Sequence, residues 1–187
     1  MRTTTSCLLF LGLAAGACQK ETAEPAEPED AYPFVAGDLL LGIKEGVPIT
    51  KAFRLADSLN FTMTRLDGFL YNSNLPKDSV AYVRKVLLTK PYLTRSGSAT
   101  GNIYTVYVNP DNAKIRIANS FFEMDRASQQ DWVATMQQLQ LVASPSTTAT
   151  MALKVPVGEE KYWRTELRAS PLVSWTELNS IIPIQLH

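Results

Sequence analysis

"ALKVPVGEEKYWRTELRASPLVSWTELN", residues 152–179, decides how this fold is read. With Met151 just before it, apolar side chains alternate through Leu153, Val155 and Val157, the period of a half-buried strand. Gly158 breaks the run. Glu159 and Glu160 open a helix, where negative charge suits the positive end of the backbone dipole. Trp163 and Leu167 follow four apart on its inner face. Ser170-Pro171 ends the helix, and Val173, Trp175 and Glu177 mark a second strand. The unit is strand, helix, strand.

Upstream, a similar arrangement begins at "GDLLLGIKEG" (37–46). Leu39, Leu41 and Ile43 alternate, and Glu45-Gly46 ends the strand. Pro48 suits a first helical turn, and Ile49, Ala52, Phe53, Ala56 and Leu59 form one apolar helix face. "FTMTRLDGFLYNS" (61–73) reads as a strand or hairpin bent at Asp67-Gly68. Between the two units lie a helix with Val80, Val83 and Leu87 on its face, capped by Asp78 and ended by Pro91, and a hairpin turning at Asn109-Pro110-Asp111-Asn112. A further helix follows, with Ser128 and Asp131 spaced as a capping box. The expected class is α+β.

The residue inventory narrows the chemistry. The chain of 187 residues has a formal net charge of zero, which gives no reason to expect nucleic acid. His187 is the only histidine, so no Ser-His-Asp or Cys-His arrangement and no ordinary zinc site is expected. The two cysteines, Cys7 and Cys18, both precede the folded part. The carboxylate pairs Glu159/Glu160 and Asp125/Asp131 fit helix N-terminal charge better than acid–base work. Trp132, Trp163 and Trp175 each sit on an apolar stripe or strand and are assigned to the core. No catalytic residue, metal ligand or cofactor is expected, and the chain is read as a non-enzyme.

"MRTTTSCLLFLGLAAGACQKE" resembles a bacterial lipoprotein signal: Arg2, an apolar stretch from Leu8 to Ala15, then small residues before Cys18. Ala15 stands where leucine is commonest. The resemblance implies cleavage before Cys18 and diacylation of that cysteine, a stable membrane anchor. "QKETAEPAEPED" (19–30) is a tether that proline keeps extended, long enough at ~3 Å per residue to lift the domain ~35 Å. Its acidic start resembles the surface-export signal of lipoproteins in Bacteroidota. The implied location is the cell envelope, as an outer-membrane lipoprotein, periplasmic or surface-exposed.

The C-terminal unit resembles the second half of a subtilisin-type propeptide: strand, Gly158, a short acid-started helix, Ser170-Pro171, then Val173, Trp175 and Glu177. Residues 37–66 resemble its first half more loosely. The resemblance implies a ferredoxin-like β-α-β-β-α-β framework with an inserted α-β-β-α unit. In that family the sheet packs on two surface helices of a subtilisin-like protease, and the C-terminal tail lies in the cleft like a cleaved product. The tail here would be Ile181, Ile182, Pro183, Ile184, Gln185, Leu186 and His187. The eight residues after Asn179, extended, reach ~26–29 Å. Pro183 removes one backbone N–H from any added strand. The other reading of the tail is an edge strand or a cover for the protein's own surface.

The expected organisation is a signal peptide over 1–17, an acidic Pro/Glu-rich tether over 18–33 and one α+β domain over 34–187. Within the domain the insertion occupies about 75–146 and the propeptide-like half about 149–180. Two functions stay open: an interaction or structural module of the envelope, and a protease-directed inhibitor or folding helper.

Overall fold

The computed structural model describes residues 32–93, 104–145 and 148–181. Among them, strands and helices run in the order β1 (Phe34–Ile43), α1 (Ile49–Ser58), β2 (Thr62–Asp67), β3 (Leu70–Ser73), α2 (Val80–Leu88), β4 (Tyr104–Val108) and β5 (Ile115–Asn119). Then come β6 (Phe121–Phe122), α3 (Arg126–Gln138), β7 (Leu141–Ala143), β8 (Ala149–Lys154), α4 (Glu160–Arg168) and β9 (Val173–Ser180). The class is α+β. One sheet has the order β6-β2-β8-β1-β9 and the other β4-β5-β3-β7. Every strand pairing in both is antiparallel.

Alternation builds the five-stranded sheet as read. Leu39, Leu41 and Ile43 of β1 lie opposite Leu153, Met151 and Ala149 of β8, and all are buried. α1 covers this face with Ile49, Ala52, Phe53 and Ala56, and α4 with Leu167. α4 packs chiefly on β9 and β1.

The chain does not turn back at Asp67-Gly68, as a hairpin would. β2 pairs with β6 and β8, whereas β3 pairs with β5 and β7 in the other sheet. Gly68 is where the chain changes sheet. Its φ is +91°, and a Cβ there would stand 2.5 Å from the Thr148 carbonyl oxygen, so only glycine fits without displacing backbone. The helices and the hairpin of residues 75–146 are present, and β3, just upstream of them, completes their sheet.

Three local expectations are corrected. α3 is capped by Asp125, whose Oδ1 accepts from the Ser128 N–H at 2.7 Å; the helix starts too early for Ser128 to be the cap. Asp78 lies in a short 3₁₀ turn, and no side chain caps α2. Val157 is exposed, because β8 ends at Lys154 and Pro156 turns the chain away from the sheet.

Trp132 is fully buried, as expected, and is the centre of an aromatic cluster. Its ring meets Phe121 edge-on at 4.8 Å, Tyr71 at 5.5 Å and Tyr92 at 6.3 Å between centroids. Tyr71 comes from one sheet and Phe121 from the other, so α3 ties the two together. Trp163 is half-buried against Phe61, and its indole N–H donates to Glu159 at 2.9 Å. Trp175 is not core: it lies on the sheet face away from the helices, 37% exposed.

Candidate functional site

A helix-covered sheet has a second face. Here it carries the alternate residues of the same strands: Leu40 and Gly42 of β1, Thr150 and Ala152 of β8, and Trp175 and Glu177 of β9. Register places Leu40 between Ala152 and Glu177, and Gly42 between Thr150 and Trp175. The Trp175 ring occupies the space above Gly42. A Cβ built on that glycine would lie 2.1 Å from the indole Nε1. A glycine in mid-strand thus gives the indole a flat bed, and the face keeps a shallow apolar strip at its centre.

Two ion pairs flank this strip. Lys154 Nζ pairs with Asp38 Oδ1, and Asn179 donates to Asp38 Oδ2 at 3.0 Å. Arg65 Nε meets Asp67 Oδ2 at 2.5 Å, and the Arg65 guanidinium lies 5.9 Å from the Phe122 ring centre. With Glu177 beside Leu40, the face combines an apolar strip, two ion pairs and one further carboxylate.

Of the tail named from sequence, the structure describes Ile181. It is exposed, and its N–H donates to the Pro33 carbonyl at 2.7 Å, at the end of the β1–β9 pairing. Ile182, Pro183, Ile184, Gln185, Leu186 and His187 lie outside the described residues, as does Cys18.

The carboxylates of the two sequence pairs, Glu159/Glu160 and Asp125/Asp131, have structural partners. Glu160 is buried and accepts from the Gly37 N–H at 2.6 Å and the Gly158 N–H at 2.9 Å. These bonds, that from Gly37 foremost, hold its carboxyl below the usual carboxylate range. Asp125 is lowered by its bond from Ser128. Asp131 accepts from Lys90 Nζ at 2.8 Å and from the Tyr92 hydroxyl at 2.5 Å. Among the described residues no three His, Cys, Asp or Glu side chains converge as a metal site.

Compared with known proteins, the chain matches no family model, no curated protein and no solved structure.

The strip around Gly42 and Trp175 was missed in the sequence. A signal for it was there: in "DLLLGI" the two-residue period puts Leu40 and Gly42 on one face, opposite Leu39, Leu41 and Ile43.

Proposed function

We propose that this chain is a non-enzymatic interaction module of the bacterial cell envelope, held to the outer membrane by lipid on Cys18. Its docking surface is the bare face of the five-stranded sheet. The observation that carries this reading is the apolar strip of Leu40, Ala152 and Trp175 over Gly42, which no helix among the described residues covers, flanked by the Lys154–Asp38 and Arg65–Asp67 pairs. A contiguous apolar strip on an outward sheet face supports a contact role.

A second reading makes the partner a subtilisin-like protease. It is supported by the strand order β2-β8-β1-β9, with α1 joining β1 to β2 and α4 joining β8 to β9. We read these four strands and two helices as a ferredoxin-like β-α-β-β-α-β framework, with β3 to β7 inserted between its second and third strands. Subtilisin-type propeptides dock by the bare face of such a sheet and send the following tail into the cleft. The strand leading into residues 181–187 is here the edge strand β9.

Two variants test this reading. Trp175→Lys should change stability by less than ~1 kcal/mol, because the ring is partly exposed and lysine suits an edge strand. Its affinity for a subtilisin-type protease should fall at least about tenfold, the loss of one apolar anchor. Deleting Ile181–His187 should abolish inhibition and leave the unfolding midpoint unchanged. Absence of inhibition by the parent chain, with a midpoint several degrees lower after deletion, would remove the protease reading and make the tail structural.

A further inference from the structure

The four-stranded sheet also has an outward face. Val106, Ile117 and Tyr71 are buried on its inner side, where Tyr71 packs against Trp132 of α3. The alternate residues point the other way. Register lines up Tyr107, Arg116, Asn72 and Val142 in one row across the sheet, one from each strand. Tyr107 and Val142, at the two ends of the row, are exposed. Lys114 precedes Arg116 by two residues, ~7 Å along the chain, and its Nζ reaches Asn74 Oδ1 at 3.4 Å.

Arg116 sets this face apart. None of the four strands contains an aspartate or glutamate. No ion pair among the described residues includes Arg116, although it is half-buried on an inner strand. Its Nε is buried with no hydrogen-bond partner, as is Oδ1 of Asn72 beside it. A half-buried cation without a counter-charge is costly, and valine or threonine would suit a strand centre better. Nε is the one nitrogen of this guanidinium closed off in that way, so its two outer nitrogens stay open to an incoming anion.

We propose that this face binds a carboxylated sugar chain, with one carboxylate held by the outer nitrogens of Arg116. The planar fork of a guanidinium matches a carboxylate, and Lys114 adds a second positive charge nearby. Tyr107, directly opposite Arg116, offers an exposed ring to a sugar face. The Thr105 hydroxyl and the Asn74 carboxamide can bond to sugar hydroxyls. An acidic peptide is the less favoured occupant. Extended peptides commonly add to a sheet along an open edge. Arg84 occupies the edge of β4, donating to the Val106 carbonyl at 2.9 Å. The ladder alternation set by the Asn109 N–H to Lys114 carbonyl bond turns that carbonyl away from β5. Recognition therefore falls to side chains on a flat face, which suits a ligand rich in hydroxyls.

The test is a ¹⁵N NMR titration of the full 187-residue chain with three probes. They are trigalacturonic acid, the neutral trisaccharide made by reducing its carboxyls, and a blocked triglutamate peptide. Trigalacturonic acid should move the Arg116 side-chain resonance and the Tyr107 and Asn72 backbone amides in a saturable way, and more weakly as salt rises. The neutral trisaccharide should move none of them, and the peptide should bind at least about tenfold more weakly. Arg116→Gln should weaken binding of the acidic sugar at least about tenfold, with an unfolding midpoint no lower than that of the parent. Lys114→Gln, at an exposed position, should weaken it less. No saturable shift with trigalacturonic acid, an equal response to its neutral counterpart, equal or tighter binding of the peptide, or undiminished binding by Arg116→Gln would overturn the proposal. The parent titrations decide alone if the variant does not fold.

Discussion

Trp132→Ala should lower stability by ~3–5 kcal/mol, the cost of emptying a large aromatic site in a packed core. Whole domains are stable by only ~5–15 kcal/mol, so this one change removes a large share. Trp132 has no exposed surface, and three rings from three other segments pack against it. Its indole N–H also reaches the Tyr71 hydroxyl at 3.4 Å, so truncation strips a partner from a second buried group. A thermal midpoint lower by about ten degrees or more is the expected reading. A fall of a degree or two would mean that the two sheets are held together elsewhere.

Glu160→Ala should come second, at ~2–4 kcal/mol, because it strands two backbone N–H groups that a carboxylate now accepts. Those groups, on Gly37 and Gly158, belong to backbone in the left-handed region, φ +76° and +90°. Gly37 lies within the register shift of β1 on β9 between Phe34 and Leu39, and Glu160 therefore pins the start of α4 to an irregular stretch of strand. The same bonds give a pH signature. The folded protein holds this carboxyl below its ordinary value, so the unfolded chain takes up the proton first as the pH falls. The stabilisation is fully present above ~4.3, the unfolded value, and is lost as the pH drops through the lower folded value. Urea midpoints from pH 7 down to 3 should therefore fall less steeply in Glu160→Gln than in the parent chain. Parallel profiles would show that the carboxylate is not held by these bonds.

Local periodicity was enough to read the helix faces and most strands. Leu39, Leu41, Ile43, Met151 and Leu153 are buried as their alternation required. The misreadings have physical causes. At Asp67-Gly68 the local turn chemistry is that of a hairpin, yet β3 pairs with β5, more than forty residues downstream. A pairing of that range leaves no trace in the residues beside the turn. Trp175 was misassigned by strict alternation from Val173. A register shift opposite Gly42 and Ile43 puts Val173, Thr176 and Leu178 on the buried side and turns the indole outward. An inserted residue reverses every later side chain in a strand, and nothing in "LVSWTELN" announces it. The bare face was half legible, through the apolar Leu40 on the side of β1 away from the core.

The docking surface can be tested in the producing cell without prior choice of partner. A photo-crosslinking phenylalanine analogue is placed at Trp175 or Glu177 on the bare sheet face, and at Tyr162, which is exposed on α4. Adducts to one discrete protein from Trp175 and Glu177, and none from Tyr162, is the result expected if the sheet face is the binding surface. Adducts from Tyr162 alone, or no adduct from either sheet position in folded protein, would contradict it.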